Sequence, residues 1–300
     1  MELWIIATLL ASTFQTLRFT LQKILSSDAL SATGATFARF CYALPFLTVG
    51  LAVYFGMNAI AFPALNARLL VYAGVGGLTQ IFATLCVLSM FKYRNFAVGI
   101  TFKKTEVLLS ALIGVLILGD LITWPALGAI LLGLIGVLYL SDTPSAAGGI
   151  FKRMWSKGTA LGLASGLAFG FSGNGYRGAS LSLGDGDTFY RAIVTLALVT
   201  AFQTAIMVVW LIWRERGEIT RVIKAWRIAA LVGLTSMAGS ICWFVAYTLQ
   251  TAAYVNALGQ VELLFSLMIG AFVFGETISR REWQGLAFLT GSIVLLVAVT

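Results

Sequence analysis

Two glutamates lie deep inside apolar stretches of this 300-residue chain. Glu106 and Glu262 each stand about ten residues into a run of membrane-spanning length, so both are expected near the bilayer midplane. An ionisable side chain placed there costs roughly 2.5–3.5 kcal/mol on insertion scales and therefore faces protein or a wet cavity. The chemistry open to such a pair is binding of a charged solute or transfer of a proton.

Four cations accompany the glutamates inside apolar runs. Arg39 and Arg191 lie several residues into the second and seventh runs, and Lys103 and Lys104 lie just before Glu106. This surplus of positive charge favours a solute that carries a carboxylate or a phosphate. An alternative is that Lys104 points to a lipid headgroup or pairs with Glu106.

Helical spacing places polar and small residues on one face of the fourth run. Steps of four, three, four and four residues predict a shared face, which comprises Gly99, Lys103, Glu106, Ser110 and Gly114. The ninth run repeats it with Val255, Gly259, Glu262, Ser266 and Gly270. Such a face suits a cavity wall or a close helix contact.

Two interpretations of the glutamates remain open. They could line a central polar cavity, or they could form structural ion pairs such as Glu106 with Arg39 and Glu262 with Arg191. A paired glutamate stays ionised and carries protons poorly, whereas an unpaired one in an apolar site takes up a proton more readily.

The elements that must hold these residues are apolar runs of about twenty residues, the length of a transmembrane helix. The chain is 59% hydrophobic and 11% charged, against about 25% charged residues in a soluble domain, and its mean hydropathy is +0.93. We predict ten such runs, at 3–24, 31–55, 68–91, 96–119, 124–141, 158–180, 188–213, 227–249, 253–275 and 283–300.

The two halves of the chain resemble each other. Ala97–Asp120 aligns with Ala253–Glu276 and brings Glu106 onto Glu262. Other matches follow in the same order along the two halves. Thr36–Arg39 matches Thr188–Arg191, Gln15 corresponds to Asn174, and Arg18 corresponds to Arg177. An odd number of helices per half inverts the second half relative to the first. The sequence thus predicts an all-α integral membrane protein with two inverted five-helix repeats, 1–142 and 158–300, joined by a cytoplasmic linker at 143–157.

Basic residues concentrate in alternate loops. The odd-numbered loops hold Lys23, Lys92, Arg94, Lys152, Arg153, Lys157, Arg214, Arg216, Arg221, Lys224, Arg280 and Arg281, and the even-numbered loops hold little beyond Arg68. The positive-inside rule therefore predicts a multi-pass protein of the inner (plasma) membrane, with odd-numbered loops in the cytoplasm and both termini outside.

Several function classes find no support in the sequence. No phosphate-binding loop of an ATPase is present, and no Cys/His cluster indicates a metal or haem site. Histidine is absent, which excludes a Ser–His hydrolase. We therefore expect no enzyme, no cofactor, no metal and no nucleic-acid partner. The expected partners are a small-molecule substrate and the lipid bilayer, and no feature demands an oligomer in place of a monomer.

A family resemblance rests on the fourth run of each half. The pattern Glu-x-x-x-Ser-x-x-x-Gly-x-x-x-x-Gly-Asp/Glu ends at Gly119-Asp120 and at Gly275-Glu276, and Trp124 or Trp283 opens the next run. Over the whole chain this resembles the EamA branch of the drug/metabolite transporter superfamily, which includes YddG-type exporters of aromatic amino acids and methyl viologen. The resemblance implies a secondary carrier with a central cavity, alternating access and peripheral fifth and tenth helices.

The expected function is export of amino acids or related small amphiphilic metabolites and drugs. An organic-anion or sugar-phosphate exchanger is the alternative. The expected cavity residues are Gln15, Arg18, Arg39, Phe82, Lys104, Glu106, Asn174, Arg177, Arg191, Trp243, Tyr247, Asn256, Gln260 and Glu262. For flexible gating segments the candidates are Pro45, which should kink the second helix, and Gly170, Gly173 and Gly175, for which close helix packing is the alternative.

Overall fold

The structure is a computed structural model that describes residues 2–28, 30–58, 63–90, 103–141, 157–184, 186–265 and 279–300. In these ranges the chain forms helices joined by short connections, and no strand occurs. The helices are α1 Leu3–Asp28, α2 Ala32–Cys41, α3 Leu44–Asn58, α4 Ala67–Met90, α5 Glu106–Ile113, α6 Trp124–Ser141, α7 Lys157–Leu181, α8 Thr188–Arg214, α9 Glu218–Lys224, α10 Trp226–Leu249, α11 Ala252–Leu258 and α12 Arg280–Val299. A π-helical turn, Gly114–Leu118, extends α5.

Five stretches are long and apolar enough to cross a membrane: Ala32–Asn58, Ala67–Met90, Thr188–Arg214, Trp226–Leu249 and Arg280–Val299. Shorter apolar helices occupy Glu106–Leu118 and Trp124–Tyr139. The predicted all-helical membrane fold is therefore confirmed. Most of the 143–157 linker, the start of the fourth run and the end of the ninth, with Ser266, Gly270, Gly275 and Glu276, lie outside the described residues.

The second predicted run is not one continuous helix, and its interruption lies next to Pro45, which was expected to kink it. The helix ends at Cys41, two turn residues follow, and α3 begins at Leu44. Pro45 thus occupies the first turn of α3, where its missing N–H is not required and its fixed φ suits the helix. The break separates Arg39, near the end of α2, from the apolar α3.

The fourth and ninth runs are each interrupted just before their glutamate. Residues 104–105 form a turn and α5 begins at Glu106. In the ninth run α11 ends at Leu258, Gly259 and Gln260 form a turn, and the Glu262 amide bonds the Gly259 carbonyl at 3.2 Å. A turn therefore interrupts each of the two faces predicted from helical spacing, yet Lys103 and Glu106 still lie on the same side, with Nζ 3.6 Å from Oε2.

The chain divides into two compact units that mix both sequence repeats. Unit 1 contains Met1–Ile81 and Ser172–Gln250. There α10 packs against α1, α2 and α8, while α2 also contacts α8 and the short α9. Unit 2 contains Phe82–Phe171 and Thr251–Thr300. There α6 lies along α12, and α11 packs against α5, α6 and α12.

Small residues allow α6 and α12 to approach closely in unit 2. A Cβ added to Gly136 would lie 2.7 Å from the Leu289 amide nitrogen and 2.9 Å from the Gly285 carbonyl oxygen. The Ser292 hydroxyl fixes the same pair of helices, donating to the Ala129 carbonyl at 2.6 Å. Backbone, which cannot turn aside as a side chain can, therefore sets the distance between the two helices.

Gly136→Ala should lower the free energy of unfolding by roughly 1–3 kcal/mol, because the methyl group must push two backbones apart. Gly128→Ala, also in α6, is the matched control, since an added Cβ there meets nothing within 4 Å. Thermal unfolding of both variants in detergent measures the difference. Equal stability of the two variants would contradict the contact.

Candidate functional site

Unit 2 holds a buried cluster of two lysines and two glutamates, the lysine–glutamate cluster: Lys103, Lys104, Glu106 and Glu262. Lys104, only 2% exposed, donates to the Glu262 carboxylate. Lys103 Nζ lies 3.6 Å from Glu106 Oε2 and 3.9 Å from Glu262 Oε1. Lys103 also lies over the Phe169 ring, 4.9 Å from its centroid. Each cation therefore has a carboxylate, and the four formal charges sum to zero.

The structural interpretation of the two glutamates is thus correct about pairing and wrong about the partners. Lysines of the turn before α5, not Arg39 and Arg191, neutralise them. The reason is the interruption in the chain, because Lys104 in the turn and Lys103 just before it reach the segment after α11 that contains Glu262. Breaking such a buried pair is costly, so the cluster links α5 to the segment after α11.

Two further predicted residues lie beside this cluster. The Asn256 amide nitrogen donates to the Ser110 hydroxyl at 3.1 Å and so ties α11 to α5. The Gln260 amide nitrogen donates to the Asn256 carbonyl at 3.5 Å, and its oxygen meets no hydrogen-bond donor in the described ranges. Gln260 and Lys104 line a cavity of about 10 Å³, which is the room of one water molecule.

Unit 1 holds a second polar group, the Arg39 cluster: Arg39, Gln80, Ser172, Ser236 and Ser240. Arg39 is 6% exposed and its Nε donates to the Ser236 hydroxyl at 2.8 Å, while its Nη2 lies 3.5 Å from the Ser240 hydroxyl. With the Gln80 amide oxygen turned toward Arg39, this oxygen accepts hydrogen bonds from Nη1 at 2.9 Å and from Nη2 at 3.1 Å. The Gln80 amide nitrogen then donates to the Ser172 hydroxyl at 2.5 Å. All the hydrogen-bond partners of the guanidinium in this cluster are neutral.

A cavity of about 10 Å³ adjoins this cluster. Arg39, Ser236, Ser240 and Thr200 supply its polar wall, and its apolar wall includes Phe40 and Phe244. No carboxylate lies within ion-pair distance of Arg39 among the residues that the structure describes. A buried arginine with neutral partners beside a small polar cavity can attract an anionic group.

Sequence analysis missed most of the neutral members of this site. Gln80, Ser172, Tyr176, Gln203, Ser236 and Ser240 were not among the predicted site residues. The Gln203 amide nitrogen bonds the Gly77 carbonyl at 3.0 Å and the Tyr176 hydroxyl at 3.3 Å. Two signals could have found them: amides deep in apolar runs, and the four-residue spacing of Ser236 and Ser240 on one face of α10.

The two predicted arginines near helix ends, Arg18 and Arg177, contact nearby residues of unit 1. Arg18 lies over the Phe19 ring, 4.2 Å from its centroid, and its Nη2 is 3.5 Å from the Gln15 oxygen. Arg177 donates to the carbonyls of Tyr247 and Gln250 at 3.0 and 2.8 Å. It therefore satisfies carbonyls at the C-terminus of α10, which otherwise lack donors.

The remaining predicted residues lie in α4, α7, α8 and α10. Asn174 is buried in α7, and Arg191 is half-buried with a buried Nε that meets no hydrogen-bond acceptor in the described ranges. Phe82 is 54% exposed on α4. Trp243 stacks on Tyr247 with ring centroids 5.7 Å apart, forming an aromatic pair within α10.

The three candidate gating glycines sit at close contacts. A Cβ at Gly175 would lie 2.8 Å from Gly76 Cα and 2.9 Å from the Tyr72 carbonyl. One at Gly170 would lie 3.2 Å from the Ser110 amide nitrogen, and one at Gly173 would lie 3.3 Å from the Tyr247 ring. These distances favour close packing as the reason for glycine, and a gating role stays a prediction.

Known proteins resemble the chain in sequence and in fold. The sequence profile of the EamA-like transporter family matches residues 2–142 and 156–298. An uncharacterised transporter in the cobO 3′ region of a Sinorhizobium species is 29% identical over 112 residues, which cover 37% of this chain and 75% of that protein. One solved crystal structure, described only as that of a protein, superposes with a TM-score of 0.69 and 16% identity over 98% of this chain and 99% of the other.

Lys104→Met should destabilise the protein by about 3 kcal/mol, because the buried Glu262 carboxylate then loses the lysine that donates to it. Adding Glu262→Gln should recover much of this loss, since the double variant leaves no uncompensated carboxylate. Unfolding of the two variants and of Glu262→Gln alone completes the thermodynamic cycle. Strictly additive effects would show that the two side chains do not interact.

Proposed function

The chain belongs to the EamA-like transporter family, and we propose that this membrane transporter exports amino acids or related small amphiphilic metabolites and drugs. Transport would proceed by alternating access, with the two repeats rocking about a midplane site. The substrate class rests on the surroundings of Arg39, a buried cation whose hydrogen-bond partners are neutral.

The Arg39 guanidinium is the cation best placed to bind a solute. Its partners Ser236, Ser240 and Gln80 are neutral, so its charge stays available to a carboxylate. Arginine binds a carboxylate through two parallel N–H donors, which gives both strength and orientation. A carboxylate would take over donors now directed at Ser240 and Gln80. The aromatic side chain of Phe244 on the same cavity wall would contact an apolar part of the solute.

The cavity of about 10 Å³ is smaller than an amino acid, and pockets for such ligands have volumes of about 300 Å³ or more. Substrate entry would therefore require the walls of this cavity to separate. This is the behaviour expected of a closed stage in alternating access.

The alternative substrate class, an organic dianion or sugar phosphate, gains less support. The surplus of buried cations seen in the sequence favoured it, yet Lys103 and Lys104 have Glu106 and Glu262 as partners. A phosphate dianion at Arg39 would thus keep an uncompensated charge in a low-dielectric site. A singly charged carboxylate matches one guanidinium.

The basic loops support one orientation in the membrane. We propose that the protein resides in the inner (plasma) membrane with its odd-numbered loops in the cytoplasm. The exposed Arg214, Arg216 and Lys224 around α9 would then face the cytoplasm. Export would carry the solute from this side to the other.

Purified protein in liposomes should take up labelled amino acids and show counterflow with a preloaded unlabelled substrate. Arg39→Gln should lower this flux at least about tenfold, because a charge-assisted hydrogen bond to the substrate contributes roughly 1.5–3 kcal/mol. Arg39→Lys should restore part of it, since lysine keeps the charge and loses the paired donors.

Arg68→Gln is the control for loss of an arginine in unit 1, since Arg68 is exposed at the start of α4. It should leave flux unchanged. Counterflow with phosphorylated sugars and no flux of amino acids by the folded protein would support the alternative. Full activity of Arg39→Gln would remove Arg39 from the substrate site.

Ala64→Cys should react with a membrane-impermeant maleimide in intact cells, and Arg216→Cys should react only after permeabilisation. Both residues are exposed, the first between α3 and α4 and the second between α8 and α9. The background should lack the native thiols Cys41, Cys86 and Cys242. The reverse pattern would invert the proposed orientation.

A further inference from the structure

Two buried cationic groups in this chain are balanced in different ways. In unit 2, Lys104 donates to the Glu262 carboxylate. In unit 1, Arg39 is also buried, but its partners are two serine hydroxyls and an amide. Neutral acceptors satisfy N–H groups without cancelling the charge, and an uncompensated buried charge is unfavourable by several kcal/mol. Within the described residues, a carboxylate thus compensates the Lys104 charge, and no carboxylate compensates that of Arg39.

We propose that the cavity beside Arg39 binds a small inorganic anion of halide size, with chloride as its physiological occupant. The anion would supply the negative charge that no described residue supplies. This site uses the same guanidinium as the proposed transport function, but anion binding does not require that transport occurs.

The polar wall of the cavity provides donors in addition to the guanidinium. The hydroxyl oxygens of Ser236 and Ser240 accept hydrogen bonds from Arg39, so the hydroxyl protons must point elsewhere. Both serines line the cavity, and so does Thr200. A guanidinium and hydroxyl groups that line one space suit an anion, whereas the positive charge of Arg39 would repel a cation.

The size of the cavity selects among anions. About 10 Å³ is the space of a single water-sized sphere. A chloride ion is larger than a water molecule but is still a single atom, and the long 3.5 Å contact of Ser240 with Arg39 leaves that hydroxyl room to move aside for it. A carboxylate has three heavy atoms and needs the wider cavity of a substrate-bound stage. A free halide and a substrate carboxylate would therefore compete for Arg39. The halide would bind the closed form, and the carboxylate would bind the open form.

Thermal unfolding of the purified protein in detergent tests the site. At constant ionic strength, replacing sodium gluconate by sodium chloride or bromide should raise the Tm by a few degrees and saturate, because a ligand stabilises the state that binds it. Gluconate is too large for the cavity. Arg39→Gln should abolish the dependence on halide, and Ser236→Ala combined with Ser240→Ala should raise the halide concentration for half-saturation at least about tenfold. Arg68→Gln should keep the wild-type response.

Radiolabelled chloride binding to the wild-type protein is a second measurement that does not depend on a folded Arg39→Gln variant. No saturable binding, or an equal Tm rise in the serine double variant, would overturn the site. Amino-acid flux without any halide effect would overturn the anion site and leave the transport function in place. A halide effect that requires Arg39, in a protein without flux, would support the anion site and count against the substrate class.

Discussion

A charge placed among apolar helices needs a countercharge or hydrogen-bond partners in the protein, and this requirement governs both polar clusters of the chain. The lysine–glutamate cluster meets it with carboxylates, so its formal charges cancel within a few side chains. The Arg39 cluster meets it with neutral acceptors from Gln80, Ser236 and Ser240, which satisfy hydrogen bonds and keep the positive charge. A cluster whose charges cancel internally is suited to joining helices, and a cluster with a retained charge is suited to binding a solute.

Interruptions of the helices place the polar groups where compensation is available. The turn at 104–105 ends just before Glu106, so this carboxylate lies in the first turn of α5, where the helix dipole favours negative charge. The turn at Gly259 and Gln260 likewise places Glu262 in the first turn of the helical residues that follow it. At the break between α10 and α11, Arg177 donates to two carbonyls that the ending helix leaves without donors. Each break exposes backbone polar groups, and a nearby side chain or turn satisfies them.

Hydropathy and the internal repeat were sufficient to predict the class of fold, because lipid requires long apolar runs and internally satisfied backbones. They were not sufficient to predict the breaks at 104–105 and 259–260, since a turn between two apolar half-helices leaves mean hydropathy unchanged. The partners of Glu262 were mispredicted, because spacing along one helix does not show which side chains of another segment a turn brings close, whereas the contact of Lys103 with Glu106 agrees with their spacing on one face. Gln80, Ser236 and Ser240 escaped notice because neutral polar residues are common in membrane helices and give a weak signal singly.

The two repeats contribute unequally to both clusters. The first repeat provides the cations, Lys103 and Lys104 in one cluster and Arg39 in the other. The second provides Glu262 to the lysines and Ser236 and Ser240 to the arginine. The positions that answer the lysines in the second repeat are Gly259 and Gln260, and Arg191, which answers Arg39, is only half-buried. Neither repeat alone builds the whole of either cluster, because each cluster takes side chains from both repeats. The two repeats therefore share the arrangement of helices, and the differences between them at these few positions make each cluster depend on both repeats.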